Sequence, residues 1–139
     1  MTAPLSFAQE RLWFLHQLDP ASAKYNVPTA LRFTGPLDRA ALQRALTAIV
    51  TRHEVLRAVF AAPDGVPQQL IAPPAECPLP VTDISASRTP MIDAEQVVAR
   101  TAGLPFDLTT GPLLRARLVR LGELEHLLVL VLHHIVSDE

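Results

Sequence analysis

Leu127-Leu128-Val129-Leu130-Val131-Leu132-His133-His134-Ile135-Val136-Ser137-Asp138 sets an unbroken aliphatic run against two adjacent imidazoles and a carboxylate. The run is too short to cross a bilayer. An apolar stretch of this length with no polar alternation reads as a strand covered on both faces, and therefore as a central strand. Just before it, Leu114, Ala116 and Leu118 alternate with Arg115 and Arg117, the pattern of a half-buried strand, and Gly122 to Glu125 turns the chain between the two.

Working outward, Ile92 to about Thr101 places Ala94, Val98 and Thr101 on one helical face, before Gly103 and Pro105 end the helix. Four prolines between Ala72 and Pro80 remove amide donors and read as an extended connection inside one domain. Val55 to Phe60 and Gln68 to Ile71 are strand candidates around Asp64-Gly65, and Pro67 confines the second to an edge or a delayed start. Asp38 can cap a helix whose Leu42, Ala45, Leu46, Ile49 and Val50 repeat at helical spacing. Thr29 to Thr34 alternates as a strand with one wet face, ending at Gly35-Pro36. Ser6 and Gln9 form a capping box for a helix from Phe7 to about Leu18, stopped by Asp19-Pro20. Its Ala8, Leu12 and Leu15, widened by Phe7, Phe14 and Leu18, demand a substantial partner surface.

The chain has 139 residues, 49% of them hydrophobic, enough for one domain with a sizeable core. A formal charge of −2 with scattered basic residues lacks the footprint of a nucleic-acid or anionic-membrane binder. Cys77 is the single cysteine, so no intramolecular disulfide forms and a reducing compartment, the cytoplasm, is the default address. Met1-Thr2-Ala3-Pro4 carries no basic n-region of a secretory signal.

Chemistry concentrates at the end of the aliphatic run. Adjacent residues on a strand point to opposite faces, so His133 and His134 do not address one small substrate together while the strand persists. Spacing alone leaves two readings: two packed histidines satisfied by backbone carbonyls, or one structural and one functional. Zinc is disfavoured because the opposed pair needs distant ligands, and His53-Glu54 has Arg57 where His-Glu-x-x-His requires its second histidine. No Gly-x-Ser-x-Gly elbow or glycine-rich phosphate loop is present, and Ser137 lies too near Asp138 in sequence for a hydrolase triad. Arg57, in Arg52-His53-Glu54-Val55-Leu56-Arg57, reads by itself as a solvated helix end.

Three segments point to a family. Leu5-Ser6-Phe7-Ala8-Gln9-Glu10-Arg11-Leu12-Trp13-Phe14-Leu15 resembles the opening motif of the condensation domains of nonribosomal peptide synthetases. Arg52 to Phe60 resembles their second motif, and His133 to Asp138 their His-His-x-x-x-Asp motif, in the family's order. Tyr25-Asn26-Val27-Pro28, Pro105-Phe106-Asp107-Leu108 and Gly111-Pro112-Leu113 also look like this family, in the branch that joins two L-configured residues.

The resemblance implies an α/β fold, an α+β two-layer sandwich in which helices cover a mixed sheet, as in the chloramphenicol-acetyltransferase-like N-terminal lobe. Residues 1–139 would be that lobe, ending within the His-His motif, with the related C-terminal lobe across the catalytic tunnel absent. By the same resemblance His134 is the catalytic histidine and His133 its structural neighbour. Asp138 maintains local geometry through an arginine partner, for which Arg57 is one candidate and a residue of the absent lobe the other, and Glu139 stands where the family has glycine.

The implied activity is amide-bond formation between a donor acyl or peptidyl thioester and an acceptor aminoacyl thioester. Donor and acceptor peptidyl carrier proteins deliver both on 4'-phosphopantetheine arms, and no cofactor is bound directly. The lobe alone is expected to be inactive and to expose an apolar surface. Two alternatives stand beside this reading: a non-catalytic condensation-like docking module, consistent with Glu139, and a superfamily acyltransferase with an alcohol acceptor.

Overall fold

The computed structural model describes residues 2–137. The chain runs β1 (Thr2–Pro4), α1 (Phe7–Leu18), β2 (Asn26–Thr34), α2 (Arg39–Arg52), a 3-10 turn (Glu54–Arg57), β3 (Ala58–Ala61), β4 (Gln68–Ile71), β5 (Val81–Asp83), α3 (Pro90–Gly103), β6 (Leu114–Gly122), β7 (Glu125–His133) and a second 3-10 turn (His134–Val136). A mixed sheet has the order β2-β7-β6-β5, with only β5 and β6 parallel, and a smaller antiparallel sheet has the order β1-β4-β3.

The aliphatic run does lie in the centre of the larger sheet. β7 pairs with β2 on one side, where Asn26 faces His133, and with β6 on the other, where Leu114 faces Leu132. Its alternate side chains feed two cores. Val129 and Val131, fully buried, join Leu12 of α1, Val97 of α3 and Phe60 of β3, whereas Leu128 joins Leu46 of α2 and Leu79. Helices therefore cover the sheet from both faces. Burying each such side chain stabilises the fold by about 1.5–3 kcal/mol, which is why this strand needs no polar alternation.

The helices start where their caps place them. Ser6 and Gln9 complete the reciprocal capping box, and the Asp38 carboxylate accepts from the Ala41 amide at 3.0 Å. α3 begins earlier than the periodicity indicates, with Pro90 in its first turn, where a missing N–H costs nothing. It buries Ala94, Val97 and Thr101.

Several expectations are corrected. Val55, Leu56 and Arg57 are not strand but the 3-10 turn, and β3 starts only at Ala58. β2 begins at Asn26 and takes in Pro28, tolerable because β2 is an edge strand. It is largely exposed on both faces rather than one. β1 and β5, three residues each, went unread in the sequence. The hairpin of β3 and β4 forms as expected, with Gly65 at φ +80° in its turn and β4 delayed until just after Pro67.

Candidate active site

Ladder bonds carry β7 to its last residue, since the His133 amide donates to the Leu113 carbonyl at 3.1 Å and the His134 amide to the Tyr25 carbonyl at 2.8 Å. Beyond this point the backbone leaves the sheet as the 3-10 turn His134–Val136. The two imidazoles consequently enter different surroundings. His133 is buried, 4% exposed, and its Nδ1 accepts the Ile135 N–H at 3.0 Å. Burial first, then the nearby His16 and His134 rings, pushes its pKa from 6.5 down to about 4. It is neutral at physiological pH.

His134 is half-buried and opens on a recess of about 390 Å³, walled by Gln9 and Arg11 of α1, by Val55, and by Ile135 and Ser137. Gln9 ties α1 to the turn, its Nε2 donating to the Ile135 carbonyl at 3.3 Å. His134 Nδ1 lies 3.3 Å from Ser137 Oγ, which is itself 3.4 Å from the His134 carbonyl oxygen. When the hydroxyl donates to that carbonyl it accepts from Nδ1–H, and Nε2 is left with a free lone pair. The arrangement can take a proton at Nε2.

The structure separates the remaining site residues. Arg57 donates to three carbonyls: Nη1 to Ala72 at 2.7 Å, Nε to Val50 at 3.2 Å and Nη2 to Thr51 at 3.3 Å. It is a bonded helix-end clamp, not a solvated side chain. Val55, from the same turn, reaches the recess. Asp138, the carboxylate of the motif, and Glu139 lie outside the described residues. Cys77 is buried, and burial raises the pKa of its thiol, which disfavours the thiolate.

Two contributors escaped sequence reasoning. The sequence raises Ser137 only as a nucleophile, whereas in the structure its hydroxyl lies 3.3 Å from His134 Nδ1 and orients that imidazole. His16 packs against His133 with ring centroids 6.0 Å apart at 85°. Nothing in the local pattern of α1 marks His16, because the contact exists only once α1 and β7 have come together.

The chain matches the family model of the condensation domain over residues 1–139. It belongs to the condensation domain family. This condensation chain is 50% identical over 137 residues to chondramide synthase cmdD of Chondromyces crocatus, covering 97% of the chain and 4% of that protein. It is 47% identical over 137 residues to phosphinothricin tripeptide synthetase PhsC of Streptomyces viridochromogenes, again 97% of the chain and 13% of that protein. Its fold superposes on the starter condensation domain of rhizomide synthetase RzmA with a TM-score of 0.92 at 30% identity, covering 99% of this chain and 35% of that one. On the first condensation domain of the calcium-dependent antibiotic synthetase the TM-score is 0.88 at 33% identity, with 96% and 33% covered. The chain thus spans about a third of the solved condensation structures it matches and a small part of the curated synthetases. No helix among the described residues is long and apolar enough to cross a membrane.

Proposed function

We propose that this chain is the N-terminal lobe of a cytoplasmic nonribosomal peptide synthetase condensation domain and supplies its catalytic histidine, His134. The partner lobe closes the tunnel. Donor and acceptor peptidyl carrier proteins present their thioesters there on 4'-phosphopantetheine arms. The amine nitrogen of the acceptor attacks the donor thioester carbonyl carbon, the carbon–sulfur bond breaks, and the lengthened chain remains on the acceptor carrier. The attacking nitrogen loses a proton and the departing sulfur gains one.

One observation supports this assignment above others: of two adjacent imidazoles, only His134 opens on a recess with an unspent ring nitrogen, while His133 is buried and bonded. An α-amine has a pKa near ~8, so a neutral fraction attacks without a strong base, and His134 both orients it and accepts the proton released on attack. His133 supports the site through its turn. Arg57 supports it by fixing the turn that carries Val55.

Single-turnover condensation between two loaded carriers tests the assignment in a complete domain. His134→Ala is expected to slow amide formation by roughly 100-fold to 10,000-fold, less if the amine's own basicity carries the step, without lowering the melting temperature. His133→Ala is expected to lower the melting temperature first. A folded His134→Ala domain that condenses at the parental rate overturns the reading.

A further inference from the structure

The outward-facing histidine depends on the buried one. Residue 133 ends the strand in extended backbone, φ −75° and ψ 137°, and its Nδ1 accepts the amide two residues on. This is the device by which an Asx side chain closes a turn, here made with an imidazole. It satisfies an amide that the passage from strand to turn would otherwise leave unpaired in a buried place. It also fixes the direction in which the intervening residue, His134, leaves the sheet. The bond has one chemical condition: Nδ1 must keep its lone pair, so the ring is neutral with its proton on Nε2.

Two rings hold His133 in place from other segments. His16 of α1 stands edge-on at 6.0 Å and 85°, and Phe106 stands edge-on at 6.2 Å and 77°. Phe106 is itself covered by the Arg115 guanidinium, 4.2 Å from its ring centre. Among the described residues, the titratable groups bearing on His133 are His16 and its chain neighbour His134, and Asp107 acts on His16 in turn. Resting on the functional reading above, we propose that His16 is a positioning residue of this site: packed against His133, it holds that ring in the state whose Nδ1 caps the turn presenting His134.

The physical account has two parts. His16 covers the His133 ring and keeps water from its nitrogens, and two protonated imidazoles 6.0 Å apart repel each other. Both effects oppose protonation of His133. Burial lowers the pKa of His16 as well, and Asp107 works against that by raising it. Removing the His16 ring admits water, lets His133 take a proton at Nδ1, breaks the bond to the Ile135 amide and releases His134 from its direction.

The test uses complete condensation domains carrying ¹⁵N-labelled histidine, His16→Ala beside His16→Phe. In the parent, His133 is expected to show the Nε2–H tautomer and to resist protonation down to about pH 4. In His16→Ala its midpoint is expected to rise by roughly one pH unit or more. The acid limb of the condensation rate should move with it, kcat falling roughly twofold relative to the parent at about pH 5 and on the order of fivefold near pH 4, while KM holds. His16→Phe, which restores the covering ring without a charge, is expected to recover most of both. An unchanged His133 midpoint in His16→Ala overturns the proposal whatever the activity. Parental condensation by His134→Ala would instead overturn the functional reading behind the rate measurement, and the titration then decides the proposal alone.

Discussion

At the scale of single residues, His133 ties the site to pH. Unfolded, its imidazole titrates near 6.5, and folded it titrates at about 4, so between those values the unfolded chain binds more protons. Its contribution to stability is full above about pH 6.5 and is lost as pH falls toward 4, at most about 3 kcal/mol in all. The lowered His16 acts with the same sign. Asp83, drawn down to about 2 by its bonds from Ser85 and Arg120, acts only below the ordinary carboxylate range, so the two windows separate. The melting temperature is expected to fall between pH 7 and pH 5 in the parent. His133→Asn offers a side-chain oxygen near the position of Nδ1 but no titration, and should flatten that slope. An equally steep slope in His133→Asn would show that another group drives it. That the two imidazoles enter different surroundings was legible from strand alternation, but the partner of the buried ring was not, because the Ile135 amide becomes a partner only when the strand ends at His133.

At the scale of elements, the three helices were legible because each carries an apolar period and α1 and α2 carry explicit caps. β1 and β5 were not, since three residues show no alternation and each pairs with a distant segment, Thr2 with Leu70 and Val81 with Leu118. Val55-Leu56-Arg57 imitated a strand for a different reason. The C-terminal carbonyls of α2 need donors, and Arg57 folds back to supply them at Val50 and Thr51 while holding Ala72, which curls the segment into a 3-10 turn. Arg57→Ala is expected to cost roughly 1–3 kcal/mol by leaving those carbonyls unpaired. Arg57→Lys should recover little, because an ammonium cannot span carbonyls that the planar guanidinium reaches together. Denaturant unfolding of the two variants checks this, and a lysine variant as stable as the parent would remove the case for a clamp.

At the scale of the whole molecule, the wide apolar stripe of α1 has found only half its cover. Leu12 is buried, but Phe7, Phe14 and Leu18, at i, i+7 and i+11 on one side of the helix, are 90%, 61% and 68% exposed. β2 adds exposed Val27 and Leu31 along the outer edge of the larger sheet, where Pro28 and Arg32 are the residues that discourage edge pairing. Exposed apolar patches drive association, so in the isolated chain other copies are the cover open to this stripe. Residues 1–139 alone are therefore expected to associate with rising concentration in sedimentation velocity. Replacing Phe7, Phe14 and Leu18 together by serine should shift the chain toward monomer. The same change should alter stability by only about 0.5 kcal/mol per site, because side chains so exposed contribute little burial. Monomeric behaviour of the parent chain across the concentration range would show that the stripe needs no cover. A fall in melting temperature without a change in association would show that these side chains serve the lobe's own core.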